Sequence, residues 1–130
     1  MMDKPTLAEI ITAAREFLEN KAMPELTGRT AFHARVAANA LAIAEREITI
    51  GPAAAEAEHA RLTLLLNRHG TLEELNAALC ARISSGDMDL DTPGLAEHLR
   101  LTTIDKVRID QPNYSGLKTA LAREDRGAAV

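Results

Sequence analysis

Apolar residues recur every three or four positions along most of this chain, the spacing that places them on one side of an α-helix. The first such stripe consists of Leu7, Ile10, Ile11, Ala14, Phe17 and Leu18. Alternating β-branched runs are missing, and no Asn-Gly or Asp-Gly pair separates two apolar segments, so nothing indicates a strand or hairpin. Apolar residues are 46% of the chain but aromatic residues only 2%, so leucine and alanine, both strong helix formers, must build the interior. The sequence therefore predicts an all-α fold.

The 130 residues suit one hydrophobic core, so we expect a compact bundle of five to six helices in a single domain over residues 1–130. Two capping boxes, Thr6–Glu9 and Thr71–Glu74, mark helix starts, because each Thr and Glu can cap the other's backbone N–H. Gly51-Pro52 is a usual stop signal and ends the second helix. The predicted helices cover about 7–23, 30–48, 53–68, 72–83, 92–110 and 115–123. The ordered core then runs over about 6–123, followed by a flexible tail at 124–130.

Two of these helices are apolar on opposite sides. On the third, Ala57 and Leu64 oppose Leu62 and Leu66, and we expect this helix to be sandwiched within its own domain. On the fifth, Leu95 and Leu99 oppose a second pair of residues. That pair, Leu101 and Ile104, is either covered within the chain or forms a subunit contact.

Composition excludes several classes of partner. The formal charge of −4, with acidic and basic residues interspersed, provides no basic field for nucleic acid. No stretch approaches the ~18 continuous apolar residues of a membrane span, and the start of the chain lacks an apolar signal segment. The single cysteine, Cys80, agrees with a reducing compartment. We therefore expect a cytoplasmic protein that binds neither nucleic acid nor membrane.

The sequence offers no catalytic, metal or cofactor site. Asp87 to Asp91 imitates a calcium loop, but the sixth position is Thr92 and the twelfth His98, instead of Gly and Glu. Glu56 and His59 have the spacing of a di-iron ligand pair but lack a second pair, so His59 is predicted to be solvated. Cys80 borders the inner stripe of its helix and is interpreted as a small hydrophobe. Nucleotide-binding glycine motifs are also missing. We expect no enzyme activity and no cofactor.

One polar cluster resists a simple structural explanation. On the second helix Arg29, His33, Arg35 and Asn39 flank an apolar stripe that includes Phe32 and Val36. An unpaired buried amide costs about 1–3 kcal/mol, so Asn39 is expected to have a partner. The candidate partner of Asn39 is the turn that holds Asp110, Asn113 and Tyr114. The ring of Tyr114 is predicted to pack inward. The cluster is therefore either a structural clasp between this helix and the turn, or a surface that meets a partner or an anionic ligand.

The same residues carry a resemblance. The run Phe32-His-Ala-Arg-Val-Ala-Ala-Asn-Ala-Leu41, then Glu-Arg-Glu at 45–47, Gly51-Pro52, and later Asp110-x-Pro-x-Tyr114-Ser115, resembles a small uncharacterised bacterial family. Members of that family look like companions of aminoglycoside-phosphotransferase-like kinases. Some stand alone and others are fused to the kinase C-terminus, often alongside acyl-CoA dehydrogenase-like enzymes.

The resemblance implies a non-catalytic accessory subunit of such a kinase, which in hydroxy-acid catabolism would phosphorylate a hydroxyacyl-CoA. The family has no agreed catalytic residues to carry over to this chain. An alternative remains open, namely a homodimeric helical bundle with a structural or small-ligand-binding role.

Overall fold

The structure is a computed structural model that describes residues 3–127, with side chains described through residue 122. Its elements are α1 (Leu7–Phe17), a π-helical turn (Leu18–Ala22), α2 (Met23–Glu25), α3 (Gly28–Leu66), α4 (Leu72–Ser85), α5 (Leu95–Asp110) and α6 (Ser115–Gly127). No strand occurs within residues 3–127, so the predicted all-α class is confirmed. At the C-terminus α6 continues past Arg123, and the part of the predicted tail at 128–130 lies outside the described residues.

The chain divides into two compact units, Met1–Gly51 and Pro52–Val130. The first unit contains α1, α2 and the N-terminal part of α3, and the second contains the C-terminal part of α3 with α4, α5 and α6. The boundary thus falls inside a helix and not in a loop. The expectation of a single domain over residues 1–130 stays a prediction.

The helix end predicted at Gly51-Pro52 is wrong, because α3 continues through both residues. A proline usually bars helical geometry at the preceding residue, partly because its ring Cδ meets that residue's Cβ. Gly51 has no Cβ, so this part of the conflict disappears. The remaining cost is the missing N–H of Pro52, which leaves the carbonyl of Ile48 without its usual intrahelical partner. The local stop signal is therefore outweighed by the helix on either side of it.

In the first unit α1 is joined to α3 by polar side chains. The hydroxyl of Thr12 donates to Glu45 Oε1 at 2.8 Å, and Arg15 Nε donates to Glu45 Oε2 at 2.8 Å. Arg15 also pairs with Glu19 at 2.7 Å. Among the described side chains of this unit, only Ala38 is buried. The first unit therefore has no large apolar core of its own.

The predicted exit of the first helix at Pro24 is also wrong, because the helical stretch continues to Glu25. A π-helical turn precedes the proline, and there the N–H of Met23 bonds to the carbonyl of Leu18, five residues back. Pro24 then lies in α2, directly after the π-helical turn, so the irregular hydrogen bonding falls just before the residue that has no N–H.

The second unit is built around leucine side chains from α3, α4 and the start of α5. Its core consists of Leu62, Leu66, Leu75, Leu79, Met88 and Leu95. The predicted capping box is confirmed at the start of α4, where Thr71 N–H donates to Glu74 Oε2 and Glu74 N–H donates to Thr71 Oγ1. The box at Thr6–Glu9 is likewise confirmed at the start of α1. Both of these helix starts were therefore readable from local sequence.

The C-terminal part of α3 is not sandwiched, contrary to the prediction for the third helix. Leu62 and Leu66 are buried, but Ala57 is exposed and Leu64 is 82% exposed. The helix also ends at Leu66, earlier than predicted, because Asn67 adopts a left-handed conformation (φ 46°). The N–H of Arg68 then caps the carbonyl of Thr63 at 3.2 Å, as in a Schellman motif.

The start of α5 lies later than predicted. Its N-cap is Gly94, with φ 86°, and neither Asp91 nor Thr92 caps the helix. These residues form a separate turn, in which Asp91 N–H donates to Asp89 Oδ1 and Asp89 N–H donates to Thr92 Oγ1, both at 3.0 Å. The hydroxyl of Thr92 and the backbone N–H of Asp91 are therefore used in that turn before α5 begins.

Candidate functional site

The candidate site is an exposed apolar stripe near the start of α3. Phe32 is 60% exposed and Val36 is 49% exposed, although the helical spacing suggested that they face the interior. The side of α3 that carries Glu45 is the side that meets α1, since Glu45 bonds to Thr12 and Arg15. At 100° per residue, Phe32 and Val36 lie roughly 140–180° from Glu45, so they lie on nearly the opposite side. Helix α1 therefore leaves this stripe uncovered.

Polar residues from the predicted cluster surround the stripe. Arg29, His33, Arg35 and Asn39 are all exposed. We call these four residues together with Phe32 and Val36 the α3 patch. The rings of Phe32 and His33 meet edge to face, with centroids 5.5 Å apart and planes at 70°.

The α3 patch carries positive charge. No acidic residue occurs between Glu25 and Glu45, and no carboxylate of the described first unit forms a salt bridge with Arg29 or Arg35. An apolar centre with a rim of arginine and amide groups suits the binding of a protein surface with apolar and acidic groups.

The turn residues of the predicted cluster belong to the second unit. Asp110 ends α5, and Asp110, Asn113 and Tyr114 are all exposed. Tyr114 is 57% exposed and its ring lies beside Gly116, so the prediction that this ring packs inward is wrong. A groove of about 340 Å³ lies next to Asp110 and Tyr114. Asn39 is part of the first unit, and the clasp that would join it to this turn stays a prediction.

The two residues of the predicted subunit contact on α5, Leu101 and Ile104, lie in different environments. Ile104 is only 5% exposed and lines a small cavity of about 90 Å³ with Leu117 and Ala120 of α6. Leu101 is half-buried. For Ile104 the structure favours the first of the two alternatives, cover within the chain by α6, and a subunit contact at Leu101 stays a prediction.

Sequence reasoning missed a buried histidine in the second unit. His98 is 3% exposed, and its Nδ1 has no hydrogen-bond partner among the described residues. Burial lowers the pKa of His98, and the nearby Arg61 guanidinium lowers it further. The helical spacing could have predicted this burial, because His98 follows the core residue Leu95 by three positions and so lies on the same side of α5.

His98 and Arg61 line a cleft of about 360 Å³ whose apolar walls include Leu64 and Leu65. Arg61 donates to the hydroxyl of Thr102 at 3.3 Å and forms no salt bridge within the described residues. Glu97 also lines the cleft, but Arg100 holds its carboxylate with bonds of 2.9 and 2.8 Å. These bonds lower the pKa of Glu97 and leave Arg61 without that carboxylate as a partner.

His59 and Cys80 both depart from their predicted environments. His59 is half-buried and Nε2 lies 2.8 Å from the carbonyl oxygen of Gly70, so the prediction of a solvated side chain is wrong. A carbonyl only accepts, so Nε2 carries the proton and donates, which ties α3 to the segment before α4. Cys80 is exposed and not a buried hydrophobe.

The described residues show neither a metal-ligand cluster nor a transmembrane helix. No group of three His, Cys, Asp or Glu side chains within residues 3–122 could hold a metal ion. None of the described helices is long and apolar enough to span a membrane.

Comparison with known proteins assigns a family to most of the chain. The sequence model of a family described as "Domain of unknown function (DUF6285)" matches residues 24–114. This range includes the whole α3 patch and the turn at Asp110–Tyr114. No curated protein and no solved structure matches the chain.

Proposed function

The chain belongs to the DUF6285 family, a domain of unknown function, and we propose that it is a non-catalytic accessory subunit of an aminoglycoside-phosphotransferase-like kinase. The kinase would act on a hydroxyacyl-CoA, and this chain would supply a docking surface for it in the cytoplasm. The link to a kinase rests on the resemblance of residues 32–41 and of the Asp110–Tyr114 turn, whereas the docking surface rests on geometry.

The observation that carries the proposal is the exposure of Phe32 and Val36 beside Arg29 and Arg35. Aromatic and arginine side chains are the residues that contribute most often to protein–protein binding energy. Exposed apolar side chains that are surrounded by polar groups are typical of a surface that another protein covers. The arginines would also favour a partner whose bound acyl-CoA is anionic.

The test asks whether a kinase-like protein is encoded beside this chain and whether the two proteins co-purify. The Phe32→Ser and Val36→Ser double variant removes the apolar centre of the α3 patch and is expected to weaken the complex at least tenfold. Leu64→Ser is the matched control, because Leu64 lies on the same helix and is 82% exposed in the second unit. It is expected to leave the complex intact.

Two results would contradict the proposal in different ways. If the wild-type chain and the kinase do not form a complex, the accessory role is wrong. If the complex forms but tolerates the double variant as well as it tolerates Leu64→Ser, the docking surface lies elsewhere. Helicity measured by circular dichroism shows whether each variant is folded.

A second candidate function, binding of a small ligand, is favoured by the cleft beside Arg61. The guanidinium could hold a carboxylate while Leu64 and Leu65 contact an aliphatic tail. We expect butyrate to shift the backbone amide signals of residues 94–98 in a nuclear magnetic resonance titration, and Arg61→Gln to abolish the shift. Arg68→Gln, at an exposed position, is the control. Equal shifts in both variants would exclude this cleft.

A further inference from the structure

Helix α1 has an uncovered apolar face that is distinct from the α3 patch. Leu7 is 55% exposed, Ile10 39% and Phe17 61%, and Ala14 between them is also exposed. These four residues, the α1 face, recur at intervals of three and four, which is the spacing of a coiled-coil seam.

The contacts of α1 within its own unit lie on a different side of the helix. Thr12 and Arg15 bond to Glu45 of α3 and so define the side of α1 that meets α3. At 100° per residue, the α1 face is centred roughly 150° away from the direction midway between Thr12 and Arg15. The hydrogen bonds to Glu45 therefore turn the most apolar side of α1 away from α3.

Opposite charges bracket the α1 face. Asp3 lies in the bend before the first residue of α1, and Lys21 lies in the π-helical turn that follows α1, so each is near one end of the α1 face. Lys4 lies 3.7 Å from Glu9 and Arg15 is bonded to Glu19 and Glu45, whereas Asp3 and Lys21 form no ion pair within the described first unit. The face therefore ends in an acid on one side and in a base on the other.

The α1 face is complementary to a second α1 face that runs in the opposite direction. A two-fold axis at the level of Thr12 places Leu7 of one copy opposite Phe17 of the other and Ile10 opposite Ala14. The same axis brings the end of one helix that is near Asp3 towards the end of the other that is near Lys21, at both ends of the pair. A two-fold interface requires such reciprocal pairs, and the small Ala14 leaves room for the larger Ile10. A parallel arrangement would instead oppose like charges.

We propose that the α1 face binds a second copy of this chain, with the two α1 helices antiparallel. The proposal does not depend on the kinase, because it uses a different helix from the α3 patch. One helix of 11 residues from each copy forms a small interface. Such an interface lies below roughly 1,200 Å² in total, the range of weak and reversible complexes.

The experiment is sedimentation equilibrium of the full chain over a wide range of concentrations, with charge-swapped variants. Asp3→Lys and Lys21→Asp are each expected to weaken dimerisation by about tenfold, because each puts like charges opposite each other at both ends. The double variant restores opposite charges, and we expect its dissociation constant to lie within about threefold of the wild type. Ile10→Glu removes dimerisation from the centre of the face, and Leu90→Glu, at a residue 78% exposed in the second unit, is the control.

A wild-type chain that is monomeric at every concentration would overturn the proposal. So would a dimer that tolerates both single charge reversals, or one that the double variant does not restore. The charge variants lie on the surface, so circular dichroism is expected to show that they fold as the wild type does. A dimer that forms while the kinase fails to bind would overturn the proposed function and leave this inference standing.

Discussion

The two units of this chain use their apolar residues in opposite ways. The second unit buries six large apolar side chains in one cluster, with Leu62 and Leu75 fully inaccessible. The first unit buries only Ala38 among its described side chains and leaves Leu7, Phe17 and Phe32 more than half exposed. The composition of the two units is similar, so the difference lies in what covers the apolar faces. The second unit gathers six large apolar side chains into one buried cluster, whereas the first leaves its apolar helix faces exposed.

This difference predicts that stability and partner binding depend on different parts of the chain. Burial of a leucine side chain contributes about 1.5–3 kcal/mol, so the cluster of the second unit is its main source of stability. The first unit is joined instead by polar contacts between α1 and α3. Changes in the second unit should therefore act on unfolding, and changes in the first unit on binding.

The largest effect is expected for Leu62→Ala, which removes a fully buried side chain from the core. The variant should lose about 2–5 kcal/mol of unfolding free energy, from lost burial and from the cavity left behind. Urea unfolding followed by circular dichroism measures it. Leu64→Ala on the same helix, and Phe32→Ala in the first unit, should each change stability by less than about 1 kcal/mol. Equal losses in all three variants would remove the contrast between the units.

The next effect concerns pH and the buried His98. Burial lowers its pKa in the folded chain below the ordinary value of 6.5, so the unfolded chain binds a proton more readily. The stabilisation is complete above pH 6.5 and is lost as the pH falls through the lowered pKa, with a slope of at most about 1.4 kcal/mol per pH unit. His98→Asn should flatten the pH dependence of unfolding as the pH falls below 6.5. His69→Gln, at an exposed position, should leave the slope unchanged.

A smaller and more local effect is expected for Glu45→Gln. The bonds from Arg15 and Thr12 lower the pKa of Glu45, which shows that they favour its charged form. Neutralising it should weaken the attachment of α1 to α3 and speed hydrogen exchange in residues 7–25, while the second unit keeps its protection. Glu16→Gln, at an exposed position of α1, is the control. Faster exchange throughout the chain would show that the polar contacts stabilise more than the first unit.

The smallest effect is expected for Asn39→Leu. Asn39 is exposed, so we expect its stability to stay within about 0.5 kcal/mol of the wild type. A loss of about 1 kcal/mol or more with the kinase complex intact would instead identify Asn39 as a structural clasp. Unfolding and co-purification are measured on the same variant, so the two outcomes are distinguishable.

Local signals in the sequence predicted the fold well where neighbouring residues decide the structure. The capping boxes at Thr6 and Thr71 were confirmed because their hydrogen bonds span only three residues. The same reasoning failed at Gly51-Pro52, where a strong local stop is overridden by continuous helix. It failed again at Asp91 and Thr92, whose polar groups are used in a turn before α5.

The candidate site was only partly predictable. The sequence singled out the polar residues of the α3 patch, but it placed Phe32 and Val36 on a side expected to face the interior. Periodicity shows that a helix has an apolar side, and it does not show whether this chain or another covers that side. His98 was missed because histidine is polar, although it follows the buried Leu95 by three positions, the spacing of residues on one side of a helix.

The continuity of α3 has a consequence for how this chain could be cut or shortened. A break after Gly51 would divide a helix whose backbone groups bond across the break. One fragment would expose about four carbonyl groups, and the other would begin with N–H groups that have lost their acceptors. The two units can thus be told apart by their packing, but neither ends where its backbone hydrogen bonds end. We therefore expect nicking by a protease at this point to fray both fragments instead of releasing two intact pieces.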